Sequence, residues 1–129
     1  MSDCLPESIW RDLLGRPYAE DARGPEQFDC VGLFLEIQRR LGRAVPPYPS
    51  DPMLVPAARK QWERVETPAP GDAVLIVSHD PPWHIAVVLE TEPQPWMLHS
   101  NSAMGVVRSR MDRFPWRNQI EGYYRWQPL

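Results

Sequence analysis

Phe28-Asp29-Cys30-Val31-Gly32-Leu33-Phe34-Leu35-Glu36-Ile37-Gln38-Arg39-Arg40-Leu41-Gly42 is the stretch on which the fold turns. Apolar residues recur at Cys30, Phe34, Ile37 and Leu41, with Val31 and Leu35 beside them, the spacing of a buried helical face. Asp29 is a good N-cap type and Gly42 stands where a helix stops. Cys30 therefore falls in the first helical turn. Free backbone N–H groups and the helix dipole favour an anion there, which draws a thiol toward the nucleophilic thiolate. A lone cysteine in an apolar helix is ordinarily a small core residue. Here it precedes the apolar run, and histidines follow on strand-like segments.

Upstream of this helix, Pro6 to Leu14 reads as a short helix with Ile9, Trp10, Leu13 and Leu14 on its apolar face. Glu20-Asp21-Ala22-Arg23-Gly24-Pro25 is a polar turn that delivers the chain to Asp29. Downstream, Arg43 to Pro56 is rich in proline and predicts an extended, stiff connection. Ala57 to Val65 reads as a second short helix with Trp62 inward. After the Pro68–Asp72 turn the pattern changes to strands: Ala73–Val77, His84–Leu89, Trp96–His99, Gly105–Arg108 and Ile120–Trp126. Their connections are too short for crossover helices, so neighbours pair antiparallel. Helices followed by a strand meander predict one α+β domain over residues 1–129, with N-terminal helices on an antiparallel sheet of about five to six strands.

A chain of 129 residues can close one real core. Its net charge of −3 gives no electrostatic footprint for nucleic acid. No apolar run approaches a membrane span. The N-terminus lacks the basic and apolar regions of a signal peptide, which predicts synthesis in the cytoplasm. Cys4 and Cys30 make no disulfide framework.

The three histidines are His79, His84 and His99. His79 reads as a loop residue. His84 opens one strand and His99 closes the next, so a hairpin of suitable register puts both on one face. Cys30, on a helix packed against that face, completes a Cys–His–His site in which His84 takes the thiol proton and a third polar group orients it. Asn101 is the alternative third member. The same three residues are also potential zinc ligands, but no paired ligand motif is present, and neither a metal nor a cofactor is expected.

Gly15-Arg16-Pro17-Tyr18, Phe28-Asp29-Cys30-Val31-Gly32-Leu33, Pro70-Gly71-Asp72-Ala73-Val74, His84-Ile85-Ala86-Val87-Val88-Leu89, Met97-Leu98-His99-Ser100 and Gly105-Val106-Val107 resemble, in order and approximate spacing, the NlpC/P60 papain-like cysteine peptidases. The late Gly122-Tyr123-Tyr124-Arg125 is most similar to the branch found in bacteriophage and prophage tails. The resemblance implies Cys30 as nucleophile, His84 as base and His99 as the residue that orients it. It implies Tyr18 near the oxyanion and Asp29 in recognition of a substrate amine. It further implies hydrolysis of amide bonds in peptidoglycan stem peptides, of the γ-D-glutamyl-diamino acid type, with other phage tail-tip or baseplate proteins as partners and a virion or prophage-derived tail tip as location.

The sequence departs from that pattern at Val31, where the family has Ser, and at Glu20-Asp21-Ala22-Arg23, where a Gly pair often stands. The loss of a hydroxyl at Val31 is expected to weaken recognition of the substrate amine. Two other readings are a structural tail-tip subunit that keeps the fold and a secreted antibacterial amidase. Arg108, Arg110 and Arg113 are either a solvated face or contacts for substrate carboxylates.

Overall fold

The computed structural model describes residues 3–52, 61–77 and 83–128. His79 and residues 57–60 of the helix expected over Ala57–Val65 lie outside them. A single α-helix is present among these residues, α1 at Cys30–Arg40. Its cap follows from local chemistry: the Asp29 carboxylate accepts the Gly32 N–H, and Gly42 leaves the helix at φ +78°. Gly32 is required by packing. A Cβ there would lie 2.1 Å from the Ala22 carbonyl oxygen, so the polar turn before the helix rests directly on its first turn.

The expected N-terminal helix is two successive 3-10 turns, Glu7–Ile9 and Arg11–Leu13. Trp10 breaks them apart with φ −136°. Nine residues opened by Pro6 are too few to sustain an α-helix, and tertiary burial of Trp10 and Leu13 decides their shape instead.

Six antiparallel strands form one sheet: β1 (Trp62–Val65), β2 (Ala73–Val77), β3 (Trp83–Glu90), β4 (Trp96–Asn101), β5 (Gly105–Arg110) and β6 (Ile120–Trp126). Their spatial order is β1-β6-β2-β3-β4-β5. β1 replaces the end of the helix expected there, and it pairs Trp62 with Trp126. Trp62 is buried, as its sequence context implies, and its ring lies 5.4 Å from Phe34.

The sheet is buried on two faces. Ile85, Val87 and Leu89 of β3, with Leu98 and Val106, pack against Val31, Leu33, Phe34 and Ile37 of α1. Ala86 and Val88, with Val74, Ile76, Met97 and Met111, form a second cluster, on which Trp116, Ile120 and Tyr123 pack. Each fully buried apolar side chain contributes roughly 1.5–3 kcal/mol. Strand alternation therefore puts α1 on the odd-numbered face of β3, while His84 is in step with Ala86 and Val88. The helix packs against the face opposite the one expected.

Candidate active site

Asp29 stands at the centre of the surroundings of Cys30. It is almost wholly buried, and its Oδ1 takes both the Gly32 N–H and Arg23 Nη1, the latter at 3.0 Å. Its Oδ2 accepts the hydroxyl of Ser50, and Arg23 also reaches the Ser50 hydroxyl and the Tyr48 carbonyl, each at 3.0 Å. One carboxylate thus ties the polar turn, the helix start and the proline-rich connection together. Its charge is committed to Arg23.

Cys30 follows as the first residue of α1 and is 9 % exposed. Its thiol meets the backbone N–H groups of Ile85, Val31 and Cys30 itself, all of which favour the anion. Burial outweighs them, and the thiol pKa is pushed up to about 11. The pull toward the thiolate expected at the helix start is present, and burial outweighs it. Helix-end groups act at short range, but removing the sulfur from water opposes the charge more strongly. Tyr18, Glu20, Asp21, Asp29, Cys30, Ser50, Pro52 and Trp83 line a cavity of about 290 Å³ at this point. Burial raises the Tyr18 pKa, and the nearby Cys30 thiol and Asp29 carboxylate raise it further.

Val31 points away from that cavity. It is fully buried in the core under α1, so a hydroxyl there would meet apolar side chains and not substrate. The expected effect of Val31 on amine recognition has no structural basis here. The arginines Arg108, Arg110 and Arg113 do not line the cavity either. Arg108 lies over the Trp96 ring at 4.6 Å, and Arg110 pairs with Asp112 at 2.8 Å.

The histidines come together through the hairpin register. β3 and β4 pair Val87 with Leu98 and Val88 with Met97, which puts His84 and His99 on the same face. His84 Nε2 lies 2.8 Å from His99 Nδ1, and His99 Nε2 lies 2.9 Å from Ser109 Oγ. Trp116 covers both rings, stacked on His84 at 6.1 Å and edge-on to His99 at 4.9 Å. Asn101 is occupied elsewhere, its side chain accepting the N–H groups of Ala103 and Met104. Burial drives the His84 pKa down to about 4; burial, and then the neighbouring His84, drive His99 to about 3. Both rings are neutral at pH 7.

The thiol and the His84 ring share no hydrogen bond in this resting geometry. The fold nonetheless brings the two segments near each other, since the backbone N–H of Ile85, the residue after His84, favours the Cys30 anion. His84 Nδ1 is the ring nitrogen left without a hydrogen bond. Among the described residues the only buried side-chain nitrogen or oxygen lacking a partner is Trp10 Nε1, so His84 Nδ1 is not sealed from solvent. No group of three or more His, Cys, Asp or Glu side chains is gathered for a metal among them. Sequence reasoning missed Arg23, Ser50, Ser109 and Trp116. Each acquires its role only through a contact distant in sequence, and no local pattern marks it.

The sequence model of the NlpC/P60 family matches residues 15–125. No curated protein matches the chain. Solved structures do. NlpC1 from Trichomonas vaginalis is 18 % identical with a TM-score of 0.71, covering 94 % of this chain and 43 % of that one. An NlpC/P60 family protein from Bacillus cereus is 20 % identical with a TM-score of 0.69, covering 97 % of this chain and 41 % of that one. The NlpC/p60 domain of the peptidoglycan hydrolase SagA is 18 % identical with a TM-score of 0.65, covering 92 % and 93 % respectively. The chain thus spans less than half the length of the first two and nearly all of the third.

Proposed function

The chain belongs to the NlpC/P60 family, and from that premise we propose that it is a cysteine peptidase that hydrolyses an amide bond in peptidoglycan stem peptides. The observation that carries this reading is the position of Cys30, at the start of α1 in a polar cavity, where the backbone N–H of the residue after His84 favours its anion. The resting pair is a thiol and a neutral imidazole. Catalysis therefore begins by general base action, not from a preformed ion pair.

In the first step His84 Nδ1 takes the Cys30 proton as the sulfur attacks the amide carbon. Hydrogen bonds of this kind commonly tighten only when substrate is bound. The Cys30 N–H and the Tyr18 hydroxyl are the proposed partners of the resulting oxyanion. His84 then protonates the amine as the C–N bond breaks, leaving a thioester on Cys30. Water, deprotonated by His84, attacks that thioester; the C–S bond breaks and the thiol is restored. His99 orients His84 through its other ring nitrogen.

The γ-D-glutamyl-diamino acid bond is the proposed target. Glu20 and Asp21 give the cavity wall the charge that suits the amine of a diamino acid, since Asp29 is already paired. The proposed setting is a phage or prophage tail tip, where other tail proteins are the partners. This part rests on the Gly122–Arg125 stretch alone. In the fold that stretch belongs to β6, where Arg125 grips Asp72 at 2.8 Å and Tyr124 bonds Glu121.

The test is turnover of purified stem peptides, followed by mass spectrometry, for wild type and Cys30→Ala, with thermal melts of both. Wild type should release the two fragments, and Cys30→Ala should lose at least roughly 10³-fold in rate with an unchanged melt. Equal inactivity of the two proteins across a range of muropeptides would overturn the peptidase and favour a structural subunit.

A further inference from the structure

We propose that Ser109 is a positioning residue that sets the protons of the buried histidine pair and so leaves His84 able to act as a base. The proton placement stands on geometry alone; only its catalytic consequence rests on the peptidase reading. His99 is fully buried, and each of its ring nitrogens has one partner: Nδ1 faces His84 Nε2 at 2.8 Å and Nε2 faces Ser109 Oγ at 2.9 Å. Ser109 sits on β5 two residues beyond Val107, the register partner of His99, so the contact is a diagonal one across the strands.

Two neutral arrangements fit these distances. In one, His84 Nε2–H donates to His99 Nδ1, and His99 Nε2–H donates to Ser109 Oγ. His84 Nδ1 is then bare and can accept a proton. In the other, Ser109 O–H donates to His99 Nε2 and His99 Nδ1–H donates to His84 Nε2. His84 then carries its proton on Nδ1, where it cannot take one from a thiol. The competent arrangement needs an acceptor for the buried His99 Nε2–H, and among the described residues the one in contact is Ser109 Oγ. Ser109 is half-buried, so its own O–H can turn to water while it accepts. Without the hydroxyl, the competent arrangement strands a buried N–H. The other arrangement strands only a lone pair, which is the less costly of the two.

Nitrogen-15 NMR of the imidazoles at neutral pH reads the protons directly, and stem-peptide turnover reads their consequence. Wild type should show both rings protonated on Nε2 with His84 Nδ1 bare. Ser109→Ala should move the His84 proton to Nδ1 and lower kcat roughly 10- to 100-fold with KM little changed, less than the full worth of a general base. Ser109→Thr, which keeps the acceptor, should restore the wild-type spectrum and rate. A wild-type His84 protonated on Nδ1 would overturn the proposal, as would a Ser109→Ala spectrum identical to wild type. If Ser109→Ala fails to fold, the wild-type and Ser109→Thr spectra still decide. Expected spectra with no turnover by wild type would sink the peptidase and leave the role of Ser109 intact; turnover with unmoved protons would do the reverse.

Discussion

The two halves of the proposed site, Cys30 and the His84–His99 pair, are built by opposite means. Cys30 stands in a polar cavity whose walls come from a turn, a helix end and an extended connection, held by one carboxylate. The histidines stand in a largely buried cluster made by strand register and covered by Trp116. Yet burial has one outcome on both sides. It keeps the thiol protonated and the imidazoles unprotonated, so the two halves rest as neutral groups.

The largest effect expected from this contrast is on stability in acid. The His84 pKa falls from 6.5 to about 4 on folding, so the unfolded chain takes up the proton first. Stability is complete above pH 6.5 and is lost as pH falls toward 4, by about 3 kcal/mol from His84 alone. Denaturant melts of wild type and His84→Gln across that window should diverge in slope; parallel curves would show that the ring is hydrated in solution.

Next comes thiol reactivity. With the Cys30 pKa at about 11 against an ordinary 9.0, its thiolate population near neutral pH falls roughly 100-fold. Alkylation of the exposed Cys4 should therefore outrun that of Cys30 at pH 7, and the Cys30 rate should still be rising above pH 9. A Cys30 rate that levels off below pH 8 would mean a preformed ion pair.

A smaller effect separates cavity from core. Val31→Ser should lower stability by about 2 kcal/mol, by burying a hydroxyl and removing apolar contacts, with no gain in turnover on free-amine peptides. A gain would put residue 31 on the substrate side after all. Smallest of all, Asp29→Asn keeps a good cap but removes the charge paired with Arg23. It should shift the melt by no more than about 1 kcal/mol.

The elements were largely legible in the sequence because their signals are local. The cap at Asp29, the apolar spacing of α1 and the runs of β2 to β6 depend on neighbouring residues. β1 was not, since Trp62-Glu63-Arg64-Val65 is four residues long and half polar. The side of the sheet taken by α1 was not legible either. Both faces of β3 are apolar, Ile85, Val87 and Leu89 on one and Ala86 and Val88 on the other, so alternation gives no preference. The two histidines were found from their strand positions. Their link to Ser109 and Trp116, and the ionisation of Cys30, depend on register and burial that arise only when distant segments meet.

The paired carboxylate of Asp29 also bears on selectivity. An amine that competed with Arg23 for it would draw on the same oxygen that caps α1, loosening the turn that carries Cys30. Binding at Asp29 and the placement of Cys30 are therefore linked through a single oxygen.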